Sequence, residues 1–130
     1  MSLKFQVYNT TKSKKGILQT RWRLLDGDDI IACGKEPFHR SHALGGVRDL
    51  VHNLQGKSRF PHKYIIKSTS SFPVRYYWVL KARNGKLVAC GTDSYKTSKE
   101  ATEKILWIIS EICRQPIPIE RIKRYIGEEK

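Results

Sequence analysis

An internal repeat is the feature of this sequence that most restricts its fold. Residues 22–24, Trp-Arg-Leu, return at 78–80 as Trp-Val-Leu, and the Ala-Cys-Gly of residues 32–34 returns unchanged at 89–91. An aromatic residue and then a serine follow each copy at the same spacing. Repeats of fixed period are typical of folds built from one supersecondary unit. The sequence therefore predicts two similar units in one chain.

Both units are expected to share one hydrophobic core, because either alone would bury too little surface. The chain has 130 residues, of which 39% are hydrophobic, and this is enough for a globular fold. We therefore predict a single domain over residues 1–130, with units at about 4–56 and 63–114 and an appendage at 115–130.

Each unit reads as three strands followed by a helix. Alternation of apolar and polar residues, the pattern of a half-buried strand, runs through residues 4–8, 18–24, 64–66 and 75–81. Asp26-Gly27 and Asn84-Gly85 are tight-turn signals, and the second favours a two-residue hairpin loop. Short third strands follow at 30–33 and 87–90.

A helix is predicted after each third strand, because apolar residues recur there at helical spacing. The two stripes are Ala43, Val47, Leu50, Val51 and Leu54, then Ala101, Ile105, Ile108, Ile109 and Ile112. Ser41 is the predicted N-cap of the first helix and Gly56 its C-terminal stop, while Thr97 and Glu100 have capping-box spacing. Apolar residues recur at helical spacing again after Pro118, which predicts a short third helix; a strand is the alternative.

The second unit carries a family resemblance. It reads Trp-Val-Leu-Lys-Ala-Arg-Asn-Gly-Lys-Leu-Val-Ala over residues 78–89 and Tyr-Lys-Thr-Ser-Lys over 95–99. These residues resemble the YegP-like family, small prokaryotic proteins that carry a β-β-β-α unit singly or in tandem. The first unit departs from the pattern, since Asp26-Gly27-Asp28-Asp29 replaces the Asn-Gly turn and His42 replaces the lysine after the serine.

The resemblance covers about residues 4–54 and 63–113, so the basic loop at 11–16 and the tail after Arg114 lie outside it. It implies one continuous sheet formed by both units, with the helices on one face. The predicted fold class is α+β: two tandem β-β-β-α repeats forming one antiparallel sheet, plus a short C-terminal helix or strand. The family has no established activity, so the resemblance supplies no catalytic residues.

The chain is strongly basic. Its 25 lysines and arginines exceed its 12 acidic residues and give a net charge of +13. Such a field attracts polyanions, so nucleic acid, an acidic protein or an anionic membrane are candidate partners, and simple solubility is the alternative. No signal peptide and no apolar run of membrane-spanning length is present, which predicts a cytoplasmic protein without a membrane partner.

The residue patterns of catalysis and metal binding are missing from the sequence. Gly56-Lys57-Ser58 lacks the rest of a phosphate-binding loop, and His39, His42 and Cys33 lack a fourth zinc ligand. We predict no enzyme activity, no cofactor and no metal. The cysteines at 33 and 90 lie in apolar strand patterns, and so we expect buried free thiols.

The strand face opposite the helices is predicted to carry cations interleaved with aromatic rings. Cations can bind phosphates while rings stack on bases, a combination that suits RNA or DNA. An ordinary solvated sheet face is the alternative. The predicted nucleic-acid-binding residues are Tyr8, Lys12, Lys14, Lys15, Arg21, Arg23, Lys67, Arg75, Tyr77 and Lys81.

The leading hypothesis is thus a non-catalytic nucleic-acid-binding module. The alternative is a protein–protein interaction module within a larger defence or mobile-element assembly. Trp107 would be its anchor, because it lies on the polar side of the second predicted helix. Cover of Trp107 by the apolar tail is the competing explanation.

Overall fold

The computed structural model describes residues 3–10, 19–34, 38–39, 43–56, 62–82 and 85–126. Eight strands and two helices follow one another along these residues. In chain order they are β1 (Leu3–Thr10), β2 (Gln19–Asp26), β3 (Asp29–Gly34), β4 (Phe38–His39), α1 (Ala43–Leu54), β5 (Lys63–Ser68), β6 (Tyr76–Lys81), β7 (Leu87–Gly91), α2 (Ser98–Arg114) and β8 (Ile119–Ile126).

The strands form one sheet in the order β5-β6-β7-β3-β2-β1-β8, and the short β4 pairs with β2 beside this path. Both helices pack against the same face, α1 over β1 and β2 and α2 over β5 and β6. The predicted α+β class is therefore confirmed. The sheet as a whole is mixed: the strands of the two predicted units pair antiparallel, as predicted, whereas β8 of the C-terminal appendage runs parallel to β1.

The predicted third helix is a strand. Residues 119–126 form β8, which pairs with β1 from Phe5 opposite Ile119 onwards. The backbone N–H of Phe5 donates to the carbonyl of Pro118 at 2.9 Å, and Ile119 packs against the core. Pairing satisfies the backbone groups along the outer edge of β1, a gain that outweighs the helical spacing of the isoleucines.

The centre of the sheet is the antiparallel pair β3 and β7. Cys33 lies opposite Cys90, with Ala32 opposite Gly91 and Gly34 opposite Ala89. The third predicted strand of one half therefore pairs with the third predicted strand of the other. Strand order is consequently mirrored outward from this pair, as β7-β6-β5 on one side and β3-β2-β1 on the other.

Two tryptophans fill corresponding places in the core, Trp22 on β2 and Trp78 on β6. The indole of Trp78 is only 1% exposed, and the ring of Phe5 meets that of Trp22 edge-on at 5.7 Å. Each indole lies over a glycine of the neighbouring strand, Trp22 over Gly34 and Trp78 over Gly91. A Cβ atom on Gly91 would lie 2.5 Å from Nε1 of Trp78, so only glycine leaves room for the ring.

Turns and caps follow local chemistry. Gly27, Gly56 and Gly85 all have positive φ, which is strained for other L-residues. The Ala82 N–H donates to the Lys86 carbonyl at 2.9 Å, and the Gly85 N–H donates to the Ala82 carbonyl at 3.0 Å. The predicted two-residue Asn84-Gly85 loop lies partly outside the described residues.

The Thr97 hydroxyl caps α2, as predicted, and accepts from the Glu100 N–H at 3.2 Å. Gly56 ends α1, and its N–H donates to the Asn53 carbonyl at 3.0 Å. The predicted N-cap, Ser41, lies outside the described residues. Neither described helix is long and apolar enough to cross a membrane.

Candidate nucleic-acid interface

The helix-free face of the sheet carries most of the residues predicted to bind nucleic acid. Side chains alternate between the two faces of a strand, so the core positions of Trp22, Leu24, Trp78 and Leu80 turn their neighbours towards this face. A central row crosses it through Ile65, Val79, Cys90, Cys33, Arg23, Gln6 and Glu120, each opposite the next in the strand pairing.

A second row lies two residues further along, at the end where the β1–β2 loop begins. Lys63 is opposite Lys81 in this row, and Arg21 is opposite Tyr8. Lys81 and Arg21 are three strands apart, or about 14 Å at the usual strand spacing. We call Lys81, Arg21 and Tyr8 the basic row. The predicted loop residues Lys12, Lys14 and Lys15 lie outside the described part of the chain.

Lys67 and Tyr77 lie at the other end of the face. They are opposite each other, two residues beyond the central row in the direction away from the basic row. A distance of about 13 Å along the strands separates the two ends. The predicted site residues are therefore spread over three rows of the face instead of forming one continuous stripe.

Arg23 lies in the central row and is held by its neighbours. Its Nε donates to Oε1 of Gln6 at 2.8 Å, and its guanidinium lies 4.8 Å from the centre of the Tyr8 ring. Gln6 in turn donates to Glu120 at 2.6 Å. The Arg23 and Tyr8 side chains are thus ordered before any ligand arrives, although part of their binding capacity is already used.

Glu120 closes this network at the β8 end. The hydrogen bond from Gln6, together with the hydrogen bond and positive charge of Lys4, lowers the pKa of the Glu120 carboxyl. The Lys4 ammonium lies 3.4 Å from Oε1 of Glu120. Glu120 therefore stays ionised, and it neutralises the β8 end of the face.

The remaining cations of the face have no such neighbour. Arg21, Lys63, Lys67 and Lys81 form no ion pair with any carboxylate in the described ranges. Lys63 and Lys81 are directly opposite each other, an arrangement that destabilises a sheet when both are charged. An anion placed between them would remove this repulsion.

Arg75 is used inside the protein. Its Nη2 donates to the Ser94 carbonyl at 2.7 Å and its Nε to the Ser94 hydroxyl at 3.2 Å. These bonds join the β5–β6 loop to the segment before α2, where Tyr76 and Tyr95 exchange backbone hydrogen bonds. Arg75 therefore has a structural role, and these two bonds leave three of its five N–H donors for phosphate.

The centre of the face is apolar. Val79 is only 2% exposed although it points away from the helices, and Cys33 and Cys90 are half-buried beside it. The sulfur atoms of the two cysteines are 3.7 Å apart and are not joined by a disulfide bond. The predicted full burial of these thiols is wrong, because Trp22 and Trp78 occupy the core side and turn the cysteines outward.

Trp107, the predicted partner anchor, is half-buried and packs against the core. The Lys104 ammonium lies 4.5 Å from the centre of its ring. Sequence reasoning missed Phe72, the most exposed aromatic residue in the described part of the chain, which is 93% exposed in the β5–β6 loop. The signal was its position between a serine run and Pro73, which marks a loop and so argues against burial.

Three observations concern the metal-ligating and titratable side chains of the described residues. No group of three histidine, cysteine or acidic side chains there could hold a metal ion. Burial lowers the pKa of His62, whose Nδ1 is buried without a hydrogen-bond partner. Burial, and then the charges of Asp93 and Glu100, raise the pKa of the Tyr95 hydroxyl.

A comparison with solved structures finds one match. The NMR structure of UPF0339 protein SO3888 from Shewanella oneidensis superposes with a TM-score of 0.64, covering 95% of this chain and 93% of the other. The two chains are 18% identical, so the match supports the fold alone. No protein-family model and no curated protein matches the sequence.

Proposed function

We propose that this chain is a non-catalytic nucleic-acid-binding module whose contact surface is the basic row with the adjoining loop. The observation that carries the proposal is the alignment of Lys81, Arg21 and Tyr8 on a helix-free face, where the two cations form no ion pair with a described carboxylate. A row of cations about 14 Å long can follow a phosphate backbone, and Tyr8 supplies a ring for base stacking.

We further propose that the two halves are copies of one β-β-β-α unit and that the chain is a diverged YegP-like protein. The mirrored strand order and the likeness in fold to a UPF0339 protein support this relationship. In this view the paired third strands join the copies, and the basic row is a specialisation of the helix-free face.

A salt titration with labelled single-stranded RNA and DNA tests the binding proposal. Fluorescence anisotropy should show binding at 50 mM salt that weakens steeply towards 200 mM. The double variant Arg21→Gln/Lys81→Gln removes two phosphate contacts, so the salt slope should fall by about 1.4 for a single strand.

The double variant Lys96→Gln/Lys99→Gln is the matched control, because it removes two exposed positive charges away from this face. Its affinity and salt slope should stay close to those of the parent protein. Equal losses in both variants would reduce the effect to net charge, and an absence of binding at 50 mM salt would end the proposal.

A protein-interaction module is the second candidate, and the 93% exposure of Phe72 favours it. Hydrogen bonds from Thr69 and Arg75 brace the loop that presents this ring. A photoreactive residue at position 72 should crosslink to a protein partner in cells more strongly than one at position 99. Equal crosslinking at the two positions would remove this candidate.

A further inference from the structure

The two first strands of the halves, β1 and β5, occupy matching places in the sheet. Phe5 is opposite Leu24 of β2, and Tyr64 is opposite Leu80 of β6. Counted outward from the central pair, β1 is therefore the last strand of the series β3-β2-β1, and β5 is the last strand of the series β7-β6-β5. Phe5 corresponds to Tyr64 and, one residue earlier, Lys4 corresponds to Lys63.

The outer edge of β1 is closed by β8. Glu120 of β8 accepts from Gln6 at 2.6 Å and pairs with Lys4 at 3.4 Å on the helix-free face. Ile119 lies on the other face against the core. A strand with an apolar residue on one face and an acidic residue on the other thus completes this edge.

The outer edge of β5 has no partner strand in the described part of the chain. The Thr69 N–H donates to the Arg75 carbonyl at 2.8 Å, which fixes the alternation of hydrogen bonds between β5 and β6. By this alternation Tyr64, Ile66 and Ser68 direct their backbone N–H and C=O groups outward. Tyr64 is 39% exposed, whereas its counterpart Phe5 is 1% exposed.

Charge limits what this edge can accept. Lys63 and Lys67 lie on the helix-free face of β5 with Ile65 between them, and neither pairs with a described carboxylate. Antiparallel pairing of two copies centred on Ile65 would place Lys63 of each opposite Lys67 of the other. Like charges directly opposite destabilise a sheet, so the edge disfavours a second copy in this register, whereas carboxylates opposite these lysines would stabilise an acidic segment.

We propose that the outer edge of β5 binds an extended segment of an acidic partner protein, which adds a strand there as β8 does on β1. The segment alternates apolar residues, which cover Tyr64 beside α2, with carboxylates that face Lys63 and Lys67. Main-chain hydrogen bonds to Tyr64, Ile66 and Ser68 supply affinity, and the two lysines select the partner. This site adjoins the basic row, because Lys63 is opposite Lys81, but its main-chain contacts lie on the outer edge of β5.

A blocked, labelled octapeptide of alternating valine and glutamate is the probe, and NMR hydrogen exchange is the readout. In the free protein the amide protons of Tyr64, Ile66 and Ser68 should exchange quickly. Saturation with the peptide should slow their exchange, because each then donates to the added strand. Exchange at Lys63, Ile65 and Lys67, whose amides bond to β6, should change much less.

Charge reversal tests the selection of the partner. The Lys63→Glu/Lys67→Glu variant should bind the glutamate peptide at least about tenfold more weakly, and a valine–lysine peptide should bind this variant better than the parent. The control Lys96→Glu/Lys99→Glu has the same net charge and should retain binding of the glutamate peptide. The Arg21→Gln/Lys81→Gln variant should also retain it, whether or not nucleic acid binds the basic row.

Three results would overturn the proposal. Peptide binding that leaves the exchange of the three outward amides unchanged would place the peptide elsewhere. Equal weakening in both reversal variants would make the binding non-specific. In the free protein, slow exchange at these amides that becomes slower still at higher protein concentration would show that a second copy occupies the edge.

Discussion

Replacement of Gly91 by alanine should destabilise the fold through one contact, that with the Trp78 indole. A Cβ atom at position 91 would lie 2.5 Å from Nε1, 2.8 Å from Cε2 and 3.1 Å from Cδ1 of Trp78. Ordinary contacts are 3.4–4 Å, so the ring or the strand must move by about 1 Å. The ring has little space to move, because Trp78 is 1% exposed within the core.

Two opposing contributions set the change in the free energy of unfolding. Overpacking of this kind costs about 1–3 kcal/mol. Loss of backbone freedom in the unfolded chain returns about 0.4–1 kcal/mol when glycine becomes alanine. The midpoints of the two ranges give a net loss of about 1.3 kcal/mol for Gly91→Ala, which corresponds to a fall in Tm of about 4–7 °C for a chain of this length.

Urea unfolding of four proteins measures the contact: the parent, Gly91→Ala, Trp78→Phe and the double variant. Phenylalanine removes the five-membered ring that carries Nε1 and Cδ1, so the alanine should cost less in its presence. A coupling free energy of about 1 kcal/mol is expected. The reasoning would be refuted if the free energy of unfolding of Gly91→Ala lay within about 0.5 kcal/mol of that of the parent and the effects of the two substitutions were additive in the double variant.

Three further outcomes are expected. Mild oxidation should join Cys33 to Cys90 in a disulfide bond, because their sulfur atoms are 3.7 Å apart. Alkylation of the oxidised protein should then label Cys113 alone, and labelling of all three thiols would contradict this prediction. Glu120→Gln should speed hydrogen exchange of the backbone amides between β1 and β8 without affecting those of β5 and β6. Unchanged exchange would show that Glu120 does not stabilise the pairing of β8 with β1. Because burial lowers the pKa of His62, the unfolded chain binds the proton more readily, and stability should fall as the pH drops below about 6.5. The fall should be smaller in His62→Gln, and equal falls in the two proteins would show that His62 is not its cause.

Most of the sheet could be predicted from the sequence because the strand signal is local. Alternation around Trp22 and Trp78 fixes which side chains enter the core, and the Ala-Cys-Gly segments mark the third strands. The strand β8 could not be predicted in this way. Its isoleucines at 119, 122 and 126 match a helix as well as a strand, and only the vacant edge of β1 decides between the two.

The candidate site was predictable as a face but not in its details. Sequence alternation placed Arg21, Arg23, Tyr77 and Lys81 away from the helices, as the structure does. It could not show that Arg75 bonds to Ser94 or that Arg23 bonds to Gln6, since these partners are distant in sequence. Only such contacts distinguish a cation that is available to bind phosphate from one that the protein already holds.

The antiparallel junction at Cys33 and Cys90 has a consequence for how such a protein can change over time. If two identical chains met at this junction, any new segment that closed one outer edge would close the other as well. Covalent linkage of the halves frees each edge to acquire its own sequence. One margin of the sheet could then be sealed by the chain's own C-terminal strand while the opposite margin stayed available to other molecules.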